Sequence, residues 1–367
     1  MIGRSMRILY FSRGQSPHDL RFVHSLSETQ HQIGVLSLDP VKTDLWPSTV
    51  EVLEWPERNE RSEPSREQRV HDLKSILTEF HADVVHAGPI PQVASLAVEA
   101  GVVPLLSMSW GSDLLLEAER SPEVAEIARR TLQGSAMLAA DCQTVVRKAR
   151  ELGYAGPVCV FPWGVDLQHF SPLGSASLRA QLGWEGKFLF LCNRTLEPLY
   201  GVDVVARAFG RAVRRNPDIR LLLYGRGSQE AEIHALLEEA ERSGQVYFGG
   251  FAGLFELPDI YRSADVYVSA SHSDGSSVSL MEALACGRPV LVSDISSNQE
   301  WVESGKQGLL FRDGDEEELA EKMLDLAAAA DLSKMSATCR QTAELKADWQ
   351  KNFAVLLRAY AQLAKVG

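Results

Sequence analysis

The stretch VYVSASHSDGSSVSLMEALACGRPVLVSD, residues 266–294, decides the fold. It opens and closes on short runs rich in β-branched and aromatic residues, 266–269 and 290–293. Between them lies a helix-length run, around 278–286, that is apolar or small on nearly every face. Two short apolar strands joined by a helical crossover form a parallel βαβ unit. A helix without a polar face is a buried helix. Glu282 is therefore out of place in it, because a buried carboxylate needs partners. Two readings are open: an internal ion pair, or a carboxylate that accepts hydrogen bonds from two sugar hydroxyls. The connecting SHSDGSS has the same ambiguity. Asp274–Ser277 read either as a plain helix cap or as small residues that expose backbone N–H groups to an anion.

Outward from this unit the pattern repeats in both directions. Strands are expected at 7–12, 33–38, 50–55, 84–87, 105–109, 136–140 and 158–161, with helices between, for example at 67–80 and 122–133. Residues 57–68, charged and proline-bearing, read as a mobile loop. The alternation pauses at PWGVDLQHFSPLG, 162–174, where proline and glycine punctuate the chain. It resumes with strands at 188–192, 220–224, 246–248, 266–269, 290–293 and 308–311. This predicts an α/β chain of two Rossmann-like, doubly wound domains, 1–170 and 171–345, facing each other across a cleft. Ligands of such sheets bind beyond the carboxyl ends of the strands, so the cleft is the expected active site.

Composition narrows the function. At 367 residues the chain is too long for one ordinary core. A net charge of −12 argues against binding nucleic acid or anionic membrane through bulk electrostatics. The cluster Arg207, Arg211, Arg214 and Arg215 reads as a solvated helix face, and DGDEEELAE (313–321) as an acidic helix start. Five scattered cysteines, none in a C-x-x-C pair, fit a reducing compartment without disulfides or structural zinc. No basic-then-apolar leader and no window of roughly 18 apolar residues appears, so a soluble cytoplasmic protein is expected.

Four further stretches end strands with polar residues. LYGRGSQE (223–230) has a G-x-G turn but Glu230 where a dinucleotide fingerprint needs its third glycine, so a tight strand-to-helix turn is the better reading. In LCNRTLEPLYG (191–201), Arg194 follows a strand end, where a guanidinium fork suits a diphosphate or pairs with a carboxylate. SMSWGSDL (107–114) supplies Trp110 and Asp113, and YFSRGQSPHDLRF (10–22) supplies Arg13, His18, Asp19 and Arg21. His18 and His86 read as satisfied loop or strand-end histidines. There is no H-x-E or H-x-x-x-H spacing for a metal and no G-x-S-x-G nucleophile elbow.

Several of these motifs, in this order, resemble one family. D-x₇-E from Asp274 to Glu282, followed by ALACGRPV, resembles the E-x₇-E signature of retaining glycosyltransferases of family four. FPWGVDLQHFSP resembles their interdomain segment, and SSNQE (296–300) stands where G-G-x-x-E is usual. GRGSQEAEIHALL, VYFGGFAGLFELPDIYRSADVYVSAS and GLLFRDGD also resemble the second domain of that family. The resemblance implies a GT-B fold, with the acceptor mostly in the first domain and the nucleotide sugar mostly in the second. It also implies that 346–367 crosses back onto the first domain. Glu282 would then hold the ribose, Asp274 would lie near the transferred sugar, and Arg194 would neutralise the diphosphate. Gly275, Ser276, Ser277 and Val278 would offer amides, with Tyr200, Gly225 and Phe251 as further donor contacts. Arg13, Asp19, Trp110 and Asp113 would face the acceptor. No metal and no cofactor beyond the nucleotide-sugar co-substrate is expected. The acceptor would be a small or lipid-linked glycan, the latter with peripheral contact at the inner membrane face.

The chain departs from the family at three points. Asp274 is one methylene shorter than the usual glutamate, Tyr200 precedes Gly201 where a lysine is usual, and Trp110 replaces a histidine. A sugar-nucleotide-binding subunit without turnover, or a nucleotide-sugar epimerase on the same fold, are the alternative readings.

Overall fold

A computed structural model describes residues 4–14, 16–57 and 64–365. The chain divides into two compact units, Met1–Phe161 with Phe353–Gly367, and Pro162–Asn352. Each is built on a wholly parallel sheet.

The first unit's sheet consists of β1 (Arg7–Ser12), β2 (Gln32–Ser37), β3 (Glu51–Leu53), β4 (Val84–Ala87), β5 (Leu105–Met108), β6 (Met137–Ala140) and β7 (Val158–Val160). They lie in the order β3-β2-β1-β4-β5-β6-β7. The sheet is covered on both faces, so β4, β5 and β6 are buried along their whole length. The strands end within a residue or two of where the hydrophobic runs end, and β3 covers only the middle of the expected 50–55. Residues 57–68 require a correction. Their last part is no loop: Ser65 caps the helix Arg66–Phe80 in a capping box with Gln68. Residues 58–63 lie outside the described residues.

The second unit's sheet consists of β8 (Phe188–Asn193), β9 (Ile219–Tyr224), β10 (Val246–Gly250), β11 (Val266–Ser269), β12 (Val290–Ser293) and β13 (Gly308–Phe311), ordered β10-β9-β8-β11-β12-β13. The helix Val278–Ala285 is buried from Ser279 onward, with Leu280, Met281 and Leu284 in the core beside Tyr261 and Val290. Its lack of a polar face therefore has a packing cause. Along the helix Trp349–Leu363 the chain returns to the first unit, where Tyr360 Oη lies 2.6 Å from His86 Nδ1.

In both sheets the strand order reverses once, between β1 and β4 and between β8 and β11. Beyond the carboxyl ends at such a reversal the flanking loops part and leave a crevice. Arg13–Asp19 follow β1; Arg194 directly follows β8, and Ser271–Ser277 follow β11.

Candidate active site

At the β8/β11 reversal, Arg194 turns into the unit rather than toward solvent, with its side chain 9% exposed. Its Nη2 donates to Asp274 Oδ2 at 2.6 Å, and its Nη1 donates to Ser277 Oγ at 2.6 Å and to Ser279 Oγ at 3.0 Å. The Tyr200 ring lies against the guanidinium, its centroid 4.2 Å from Cζ. One arginine thus draws together both ends of the loop before the helix Val278–Ala285.

Two glycines make that placement feasible. Gly225, at φ +137°, brings β9's turn so close that a Cβ there would stand 2.0 Å from the Arg194 carbonyl oxygen. Gly201, at φ +58°, sits against the end of β11, where a Cβ would stand 2.1 Å from the Ala270 oxygen. L side chains rarely adopt such a backbone. The G-x-G of 225–227 is accordingly a close-approach turn: Gly225 N–H donates to Gly250 O, and Gly227 lies against Leu196.

Asp274 does not cap the helix. The N-cap position belongs to Ser277, and its side chain makes no cap bond; its Oγ accepts from Arg194 instead. The amides of the first turn therefore have no side-chain acceptor from the N-cap residue. Gly275, Ser276 and Ser277 are buried along this turn, and Val278 is half-buried. Trp301 Nε1 donates to Ser276 Oγ at 3.1 Å and pins the loop from the other side.

Glu282 is 7% exposed and has found a partner inside the protein: the Tyr261 hydroxyl donates to its Oε2 at 2.7 Å. Burial, with Glu282 beside it, pushes the Tyr261 phenol well above the usual tyrosine range, so it remains a donor. Asn193 Nδ2 donates to the same Tyr261 oxygen at 3.2 Å, which ties Glu282 to the end of β8. Phe251 stands on the loop after β10 and is 75% exposed, next to the exposed Leu254 and Phe255.

The first unit distributes its candidates differently. Asp19, 1% exposed, accepts from Tyr10 Oη at 2.9 Å and forms the capping box of Pro17–Ser27 with Ser16. Asp113, 2% exposed, accepts from the amides of Ile90, Trp110 and Leu114 and from Ser109 Oγ at 2.6–3.0 Å. Burial, only partly offset by these bonds, lifts its carboxyl to about 6. Both carboxylates are buried and engaged by the loops around them. Arg13 is exposed and paired with Asp39 at 3.0 Å. Trp110 lies edge-on to His18, whose imidazole burial and then Arg21 press down to about 4. His86 is fully buried between Tyr360 and Met108 and is pressed down to about 3 by burial.

Sequence reasoning missed Tyr261, Tyr267, Ser279 and Trp301. The tyrosines read as core aromatics, and nothing local signals that their hydroxyls serve Glu282 and Ser279. Among the described residues, no group of three or more His, Cys, Asp or Glu is arranged to hold a metal ion. Nor is any described helix long and apolar enough to cross a membrane.

Residues 175–345 match the family model for glycosyl transferases group 1, and residues 7–142 match glycosyl transferase 4-like. D-inositol 3-phosphate glycosyltransferase of Rhodococcus erythropolis is 29% identical over 291 residues, 74% of this chain and 66% of that protein. Mannosylfructose-phosphate synthase of Agrobacterium fabrum is 30% identical over 176 residues, 45% of this chain and 38% of that protein. The chain thus spans two thirds or less of the length of several of these relatives. Among solved structures, Anabaena HepE in complex with UDP and glucose aligns with a TM-score of 0.81 at 18% identity, covering 96% of this chain and 99% of that one. Sucrose-phosphate synthase of Thermosynechococcus elongatus aligns at 0.82 and 18% identity, covering 99% and 100%. These likenesses give the fold, GT-B. With two family models matched in succession along its two parallel sheets, the chain belongs to the group 1 glycosyltransferases, family four.

Proposed function

We propose that the chain transfers a sugar from a nucleoside diphosphate sugar to an acceptor hydroxyl, with retention of configuration. The observation that carries this is the buried cation of Arg194 at the β8/β11 crevice, next to a helix N-terminus whose N-cap side chain is turned away. A group that leaves as a diphosphate needs its developing charge met by preorganised donors, and a guanidinium with backbone amides supplies them. In the step itself, the C1–O bond to the diphosphate breaks while the acceptor oxygen bonds to C1 on the same face. The acceptor proton passes to a diphosphate oxygen.

In this reading Glu282 holds the ribose, Asp274 the transferred sugar, and the amides from Gly275 to Val278 the diphosphate. Gly225 and Phe251 flank the donor. On the acceptor side the candidates are Arg13 and Trp110, with Asp19 and Asp113 shaping the loops that carry them. UDP is the first donor nucleotide to try, because the HepE structures contain UDP or UDP-glucose.

The test is a thermal-shift panel of nucleoside diphosphates and their sugars, followed by product analysis with and without added acceptors. A ligand at 100 times its Kd adds about 2.7 kcal/mol, a readable rise in Tm. We expect one nucleotide series to shift the protein and its sugar to appear on an acceptor with retained anomeric configuration. Absence of any shift across the panel refutes the donor site. Conversion of a donor to its epimer without acceptor refutes transfer.

A further inference from the structure

Tyr200 stands where the resemblance leads one to expect a lysine, yet its neighbours give it a definite position. It ends the short 3₁₀ turn Pro198–Tyr200, and Gly201 behind it is locked against Ala270 in a left-handed backbone. The ring packs on the core formed by Phe190, Val202 and Val205, and presents a face to Arg194 Cζ at 4.2 Å. The guanidinium's edges are engaged by Ser277, Ser279 and Asp274, whereas its buried Nε has no acceptor among the described residues. An aromatic face attracts a desolvated cation; a second cation there would repel it.

We propose that Tyr200 is a positioning residue: its ring is the platform that fixes the plane of Arg194, so that one rigid guanidinium serves where a second cation would otherwise be needed. The inference rests on the glycosyl-transfer reading for its catalytic consequence, but the packing claim stands apart from it. It assigns Tyr200 no contact with the donor.

The test compares Tyr200→Phe, Tyr200→Leu and Tyr200→Lys, with Tyr200→Leu also made in an Arg194→Ala background. Readouts are UDP affinity by calorimetry, kcat and KM for transfer, and urea unfolding. Phenylalanine keeps the platform and should lose several-fold less kcat/KM than leucine does. Leucine should lower kcat/KM tenfold or more, yet cause no further loss once Arg194 is alanine. Lysine should fall below wild type, since it returns a cation beside Arg194. A leucine effect of equal size in both backgrounds overturns the proposal, as does a lysine variant at least as active as wild type. If the wild type neither binds UDP nor turns over a donor, the transfer reading fails and the unfolding cycle decides. Coupling between the two substitutions then supports the platform, and additivity overturns it.

Discussion

Replacing Asp274 with asparagine changes one charge at the centre of the site and almost nothing in its shape. Asp274 Oδ2 accepts from Arg194 Nη2 at 2.6 Å, with side chains 20% and 9% exposed. Asparagine retains an oxygen there, so an ion pair becomes a hydrogen bond from a charged donor to a neutral acceptor. Breaking a buried pair costs about 3–5 kcal/mol and the retained bond offsets about 1.5–3 of that, so the variant should lose about 2 kcal/mol of stability. Binding should move the other way. A phosphate charge received by Arg194 would stand roughly 6 Å from the Asp274 carboxylate. At an effective dielectric of ~20 two like charges at that distance repel by about 2.8 kcal/mol. Solvent and salt at this partly open site reduce that to about half. Asp274→Asn should therefore bind UDP about tenfold more tightly while transferring sugar at least tenfold more slowly, because the carboxylate proposed to contact the sugar is gone. Calorimetry with UDP, urea unfolding and a transfer assay on the same preparations check all three. Unchanged transfer together with weaker UDP binding would refute both the competition for Arg194 and the role assigned to Asp274.

Glu282→Gln should preserve Tm within a few degrees, because the amide oxygen still accepts from Tyr261, and should weaken nucleotide-sugar binding about tenfold; a large fall in Tm with unchanged affinity makes Glu282 purely structural. Stability should decline as pH falls below about 6.5. There the unfolded chain protonates His18 and His86 while the buried native imidazoles resist, down to about 4 and about 3, a combined slope of about 2.8 kcal/mol per pH unit. Asp113 opposes this between about 6 and 4, since its native carboxyl takes a proton before the unfolded one does. Urea unfolding at pH 6.5, 5.5 and 4.5 should show a steeper acid loss for Asp113→Asn than for wild type; parallel slopes would mean that Asp113 stays ionised despite its burial.

The sheets were legible because strands buried on both faces read as continuous apolar runs, and nearly every one lies where its run lies. The start of the helix Arg66–Phe80 was obscured, since Ser65 and Gln68 form its capping box inside a run whose charges suggested a loop. Within the site, Arg194, Asp274 and Ser277 could be nominated because each stands at a strand end or a helix start. Their pairing could not. It depends on β8 lying beside β11, a neighbour relation between segments about 80 residues apart in the chain. The acids show the limit most clearly. Asp19, Asp113 and Asp274 all follow parallel strands at the carboxyl edge, and residue type alone cannot separate them. What separates them is who supplies their donors. Asp19 and Asp113 accept from uncharged groups, Asp19 from Ser16 and Tyr10 and Asp113 from Ile90, Ser109, Trp110 and Leu114, and these bonds bury the carboxylate. Asp274 accepts from an arginine on a different strand and keeps a fifth of its side chain open. An acid buried among several uncharged donors is committed to the loop it holds. One held by a distant cation can exchange that partner for a ligand, and for this reason Asp274 rather than its two look-alikes is the acid to mutate first.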